Sequence, residues 1–297
     1  MSARVALAAL ALAGCAPQQA PAPIAAPTGK ALTTACEGRD GWSDSAPPAK
    51  IYGNTYYVGT CGIGALLIAA PDGLVLIDGA TAEAAPGILA NIRALGFDPK
   101  NIRYLLASHE HLDHVGGLKA LLQDATGAAV LARHEAVATL SSGEPEAIDP
   151  QRGAIPPFAG VKVAREVKDG EALPIRDIGL TLHATPGHTP GSTSWTWKSC
   201  EAGDCRTIAY VDSLSAVSAN DYRFSDHPDY VAMMRRTFAK VPTLPCDILI
   251  TPHPGASNLF ARLAGDAPLV DATGCRTYAA GAAKRLDDRL AKEAAAQ

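Results

Sequence analysis

Aromatic side chains are scarce in this chain. Phe, Tyr and Trp make up 5% of its 297 residues, too few for a platform that stacks successive nucleobases. Positive charge is not concentrated either: 26 Lys and Arg stand against 30 Asp and Glu, for a formal net charge of −4, with no extended basic run. That argues against nucleic acid held through phosphate neutralisation. No apolar run is long enough for a membrane span; Val5 to Ala13 is about half of the ~20 residues required. Cys-x-x-Cys is missing, which weakens a structural zinc knuckle or a thioredoxin-type redox site. Gly-x-Ser-x-Gly and Ser-x-x-Lys are missing too, which removes the serine hydrolases built on those motifs. With 47% hydrophobic and 19% charged residues, the chain can bury a core and is not disordered by composition. The balance points to a soluble, mildly acidic globular protein that handles small molecules.

The N-terminus has its own pattern. Met1-Ser2-Ala3-Arg4, a short apolar stretch and small residues make a secretory signal peptide over residues 1–15. Leu12-Ala13-Gly14-Cys15 resembles the lipobox of bacterial lipoproteins, which makes Cys15 a candidate lipid anchor to the outer membrane. An ordinary signal peptide, with Cys15 removed, stays open beside it. Residues 16–34 are rich in Ala, Pro and Gln and read as a flexible tether, and residues 35–297 as one domain. Export to the periplasm is consistent with the cysteines. Setting Cys15 aside leaves Cys36, Cys61, Cys200, Cys205, Cys246 and Cys275, an even number in an oxidising compartment. Six cysteines allow fifteen connectivities; sequence neighbourhood favours Cys200 with Cys205.

Along the chain, residues 51–58 alternate as a strand. Residues 65–70 and 74–78 form a hairpin around Pro71-Asp72-Gly73. Residues 81–95 have helical spacing, with Thr81 as N-cap and Gly96 beyond the end. A buried strand over 102–107, a helix over 115–122 and a strand over 128–132 follow, then a polar Gly/Pro loop over 141–158. Strands are expected near 161–167, 179–184, 192–197 and 207–211, then a helix over 229–240, a strand over 247–251 and a terminal helix over 277–292. Strand runs with helices between and after them suggest two packed sheets with helices outside.

The chemistry concentrates in His109-Glu110-His111-Leu112-Asp113-His114, after a strand and before a helix. Three imidazoles and a carboxylate within six residues stand out in a chain of eight His. His109 and His111 project to one side of extended backbone, while Asp113 and His114 can face a second point. The set suits two adjacent metals, zinc above all, with iron or manganese also accepted. His188, in Pro186-Gly187-His188-Thr189-Pro190-Gly191-Ser192, and His253, in Thr251-Pro252-His253-Pro254-Gly255, sit in loops at strand ends, where sites are mounted. Glu110 lies between ligands and should point away from the metals. His134, His183 and His227 read as local hydrogen-bonding residues, Met233 and Met234 as core, and Trp195 and Trp197 as a strand face turned to the core.

These three segments resemble the metallo-β-lactamase superfamily, and more narrowly its subclass B3, from about Ala35 to the C-terminus. The resemblance implies an αββα sandwich of two mixed sheets with a two-zinc site at one edge. It implies that His109, His111 and His188 bind the first Zn2+, and Asp113, His114 and His253 the second, with Asp113 also orienting a metal-bound hydroxide. It pairs Cys246 with Cys275, leaving Cys36 with Cys61. In Tyr210-Val211-Asp212-Ser213-Leu214-Ser215, the resemblance makes Ser213 and Ser215 substrate contacts and leaves Asp212 as a supporting residue. Gln151, in the 141–158 loop, is a further polar candidate for substrate. The implied reaction is opening of the β-lactam amide of penicillins, cephalosporins and carbapenems, which confers antibiotic resistance, by a periplasmic and monomeric enzyme. The alternative is another dizinc hydrolase of this fold, a lactonase or a glyoxalase II-like thioesterase.

Overall fold

In the computed structural model, which describes residues 28–296, successive side chains along the strands enter two different apolar layers, Leu66 and Ile68 on one face and Leu67 on the other. The first sheet has the order β1 (Ala49–Tyr52), β2 (Thr55–Tyr57), β3 (Leu66–Ala70), β4 (Gly73–Ile77), β5 (Ile102–Leu106), β6 (Ala129–Ala132), β7 (Arg165–Glu166). It is antiparallel from β1 to β4 and parallel from β4 to β7. The second sheet comprises β8 (Thr181–Ala184), β9 (Thr193–Glu201) and β10 (Asp204–Tyr210), paired antiparallel, with β11 (Ile248–Ile250) parallel to β10. Leu66, Ile68, Val75 and Ile77 from the first sheet meet Trp195, Trp197, Ile208 and Tyr210 from the second in the central core. One residue along each strand the side chains face outward, as a period of two requires.

The outward faces are covered by helices. Leu67, Leu74 and Leu76 pack under α2 (Ala85–Ala94) and α4 (Leu118–Asp124), beside α5 (His134–Ser142). Ala209, Val211 and Leu249 pack under α6 (Pro228–Lys240) and α8 (Gly274–Ala295). The short helices α1 (Gly29–Ala35), α3 (Leu112–Val115) and α7 (Leu259–Ala264) complete the order. The result is an αββα sandwich. Met234 is buried in the α6–α8 layer and Met233 half-buried beside it. No helix among the described residues is long and apolar enough to cross a membrane, and the signal peptide, Cys15 and most of the expected tether lie outside them.

Several boundaries differ from the sequence reading. Residues 29–34 are helix α1 rather than tether, because Leu32 has an apolar site to fill beside Leu259 and Phe260. The strand expected over 51–58 is two, broken where Gly53 takes φ +53°, a conformation open to glycine. Helix α2 starts at Ala85, not after Thr81, since Pro86 fits only the first turn; Thr81 bonds Ser43 Oγ instead of capping. Only Arg165 and Glu166 of the stretch 161–167 pair as strand, and α5 takes the first two residues of the expected 141–158 loop. The strand expected near 192–197 continues to Glu201 as β9, and α8 is longer than expected at both ends.

The helix expected over 115–122 splits into α3 and α4 at Gly116-Gly117. Here Gly117 N donates to Ala80 O and Gly79 N to His114 O, so the turn lies against the loop after β4. A Cβ on Gly117 would lie 2.1 Å from Gly79 O. Gly117→Ala is therefore expected to cost about 1–3 kcal/mol through overpacking, read as a lower urea midpoint; an unchanged midpoint would refute the contact.

Three disulfides join Cys36 to Cys61, Cys200 to Cys205 and Cys246 to Cys275. The second closes the β9–β10 hairpin, and the third ties the approach to β11 to the start of α8. The first and third close loops with sequence separations of 25 and 29, each stabilising by about 3–4 kcal/mol in the chain-entropy account.

Candidate metal centre

The ends of β4, β5, β8, β10 and β11 deliver their following loops to one edge of the sandwich. Five histidines gather there: His109, His111 and His114 after β5, His188 between β8 and β9, and His253 after β11. Ring centroids lie 4.9 Å apart for His109 and His111, 4.6 Å for His109 and His188, and 4.1 Å for His109 and His114. His253 joins His114 at 5.1 Å. The ligand atoms of His109, His111 and His188 lie within 4.8 Å of one another, and so do those of His109, Asp113 and His114. Asp113 Oδ2 is 3.1 Å from His114 Nε2 and 3.5 Å from His253 Nε2. All of these side chains are buried except His253, which is half-exposed at the mouth.

Four of the rings are held from behind. His109 Nδ1 donates to Asp212 Oδ1 (2.8 Å), His111 Nε2 to Asp149 Oδ2 (2.9 Å) and His114 Nδ1 to Asp78 Oδ2 (3.3 Å). His188 Nδ1 lies 3.1 Å from Ser215 O and 3.0 Å from Ser215 Oγ. In each ring the other nitrogen is turned inward. His109 Nε2 and His114 Nε2 are buried without a hydrogen-bond partner. Buried polar atoms are ordinarily paired, and a metal-binding imidazole ordinarily gives its far N–H to a carboxylate or carbonyl. The nitrogen and carboxylate donors therefore fit divalent metal, zinc being the ion such donors commonly hold.

The electrostatics of three rings favour the same reading. Burial, reinforced by the neighbouring rings, holds His109 well below the usual histidine range and pushes His188 down to about 3 and His253 to about 4. Their lone pairs are thus free at neutral pH, as metal ligation requires. Burial also disfavours a charged His114, but Asp113 and Asp78 outweigh it and raise that ring to about 10. Burial works to raise Asp113, yet His114, His253 and His111 hold it well below the usual carboxylate range.

The remaining candidates take different places. Gln151 is buried, and its amide Nε2 lies 3.3 Å from His188 Nε2, on the inward side. Ser215 stands behind His188. Ser213 is buried in the same segment, one residue after Asp212, which meets the outer nitrogen of His109. Glu110 turns away from the rings toward Thr189 and Gly191. His134 pairs with Glu166 at the surface and His183 bonds Thr196 Oγ1; His227 instead stacks on Tyr222 at 4.3 Å.

Two carboxylates escaped the sequence reading. Asp78 accepts from Ser108 N (2.6 Å), Ser108 Oγ (2.7 Å) and Tyr210 OH (2.7 Å) besides facing His114. Its φ of +65° is one that Asp tolerates better than most residues. Its signal was a carboxylate directly after the apolar run Leu74-Val75-Leu76-Ile77. Asp149 holds His111 and also accepts from Gln151 N (2.7 Å), so it fixes both a ring and the start of the Gln151 turn. Nothing in its local sequence, Ala147-Ile148-Asp149-Pro150, marks it out.

The family model described as the metallo-beta-lactamase superfamily matches residues 58–200. Among solved structures, the chain is 54% identical to the metallo-β-lactamase MIM-1 from Novosphingobium pentaromativorans. That match covers 90% of this chain and 98% of the other, with a TM-score of 0.87. It is 42% identical to MEM-A1, a subclass B3 metallo-β-lactamase from a soil metagenome library, over 86% of this chain and 100% of that one, with a TM-score of 0.83. A curated relative, the uncharacterized protein YobT of Bacillus subtilis (strain 168), is 29% identical over 147 residues, 48% of this chain. The match spans 59% of that relative's length.

Proposed function

The chain belongs to the metallo-β-lactamase superfamily, and from that membership we propose that it is a zinc-dependent β-lactamase of the subclass B3 kind. It opens the lactam amide of penicillins, cephalosporins and carbapenems. The observation that carries this reading is the pair of rings, His109 and His114, anchored by a carboxylate on one nitrogen and buried without a partner on the other, gathered with His111, His188 and His253 beside Asp113. The likeness to MIM-1 and MEM-A1 over nearly their whole lengths supports it.

In this reading His109 Nε2, His111 Nδ1 and His188 Nε2 hold one zinc, and Asp113, His114 Nε2 and His253 hold the other. Zinc bound there acidifies water toward neutral pH and acts as a Lewis acid on a carbonyl oxygen. The rest is the work of side chains. Asp113, kept ionised by His114, accepts a hydrogen bond from the attacking water and so orients it toward the lactam carbonyl. Asp212, Asp149 and Asp78 fix three rings from behind, so the inward nitrogens need not reorganise as charge develops. The Gln151 amide, beside His188, is placed to donate to a polar group of the substrate. Ser213 supplies a hydroxyl for the substrate carboxylate, and Ser215 adds its own by turning it from His188 Nδ1, which the Ser215 carbonyl continues to hold. The exposed apolar side chains Ile148 and Val217 flank Asp149 and Ser215 in sequence and offer surface to the substituents of the substrate. The enzyme acts in the periplasm as a monomer, with Cys15 its lipid anchor.

The test is ultraviolet-monitored hydrolysis of a carbapenem and a penicillin by the purified zinc-loaded chain, with and without chelator. Loss of the lactam absorbance that stops with chelator and returns with zinc is expected. A chain that holds two zincs and leaves both lactams intact would overturn the reading, and lactones and thioesters would be the next substrates.

A further inference from the structure

Glu110 stands between two metal-facing histidines in sequence, yet its side chain leaves the site. It is 1% exposed and reaches the turn after His188, where Oε2 accepts from Thr189 Oγ1 (2.8 Å) and Oε1 from Gly191 N (2.8 Å). The same turn is braced elsewhere: Thr189 N donates to Ser192 Oγ (2.9 Å), Arg133 to Ser192 O (2.8 Å), and Thr193 N to Ser108 O (2.7 Å). No space is left around the carboxylate. A Cβ on Gly191 would lie 2.5 Å from Glu110 Oε2 and 2.6 Å from Ala136 Cβ.

Burying a carboxylate against neutral donors is costly, and an apolar side chain would fill the same volume without that cost. What it could not do is accept two hydrogen bonds from one turn. Those bonds join the segment carrying His109 and His111 to Thr189, directly after His188, and to Gly191 of the same turn. We propose that Glu110 is a positioning residue that locks the His188 turn onto the His109–His111 segment and so sets the geometry of the three-histidine group. The inference rests on reading that group as a metal site, and not on which substrate is cleaved.

Cobalt(II) serves as a spectroscopic probe in the full-length protein, with affinities read by competition against a chromophoric chelator and thermal midpoints recorded without metal. In Glu110→Gln the carbonyl can accept from Gly191 N while the amide donates to Thr189 Oγ1, whose own proton turns to Ser192 Oγ. That variant is expected to bind both ions as the parent does. Glu110→Ala, and Gly191→Ala acting from the other side, are expected to weaken one ion by about 10–100-fold and alter its visible spectrum, leaving the second unchanged. Should Glu110→Ala not fold, Thr189→Val, which removes one of the two donors, takes its place. Alanine variants with parental affinity and spectrum would overturn the proposal, and so would Glu110→Gln as damaged as Glu110→Ala. A parent protein that binds no metal would sink the metal reading and this inference with it. Metal uptake without lactam turnover would sink only the lactamase reading.

Discussion

Asp113→Asn is expected to lower kcat/KM for a carbapenem by about 10²-fold or more, the scale on which losing the group that orients the attacking water slows the reaction. The side chain lies between His114 and His253, at 3.1 and 3.5 Å, and it is ionised because His114 outweighs its burial. Asparagine keeps the shape and one acceptor but neither the charge nor the basicity. Steady-state hydrolysis measures the loss, and equilibrium dialysis should show bound zinc falling from two ions toward one. Turnover within a few-fold of the parent would remove Asp113 from the chemistry.

The largest effect on stability is expected at Asp78. Asp78→Ala strips the acceptors from Ser108 N, Ser108 Oγ and Tyr210 OH, all buried. An unsatisfied buried donor costs about 1–3 kcal/mol, and alanine at a φ of +65° adds about 1–2 kcal/mol. With three donors stranded, a loss of about 4 kcal/mol or more follows, against a total that is commonly about 5–15 kcal/mol. Urea denaturation of the metal-free protein should therefore find the variant close to unfolded. Asp78→Asn, which keeps an acceptor and tolerates the backbone, should fall between. An Asp78→Ala midpoint close to the parent's would refute the role of Asp78 as a shared acceptor.

Asp78 also shows how far this molecule is legible in its sequence. His109, His111, Asp113 and His114 announce themselves because four strong ligands within six residues have few other uses. His188 and His253 are marked by the Pro and Gly that set them in loops. The carboxylates behind the rings are different: Asp78, Asp149 and Asp212 are single acidic residues whose partners lie 36, 38 and 103 positions away. Strand pairing within the first sheet brings Asp78 to His114, the loop before β7 brings Asp149 to His111, and only the packing of the two sheets brings Asp212 to His109. Element types are legible where short apolar runs are bounded by turn residues, as in β3 and β4 around Pro71-Asp72-Gly73. Boundaries are not, because they follow tertiary demands such as the approach of Gly117 to Gly79, or the apolar site that Leu32 fills. Glu110 was read correctly as turned from the rings, but its partners on the far loop have no trace in local sequence.

The crowding of ligands between His109 and His114 bears on how metal and folding are coupled. A ligand stabilises a protein only by the difference between its affinities for the folded and unfolded chains. Here the unfolded chain already owns three imidazoles and two carboxylates within one short stretch, and can chelate metal with them. What folding adds is His188 and His253, brought from 74 and 139 residues beyond His114, together with the carboxylates that orient the rings. The stabilisation that a bound metal ion would confer is thus the increment those distant partners supply, smaller than the full binding free energy of the completed site.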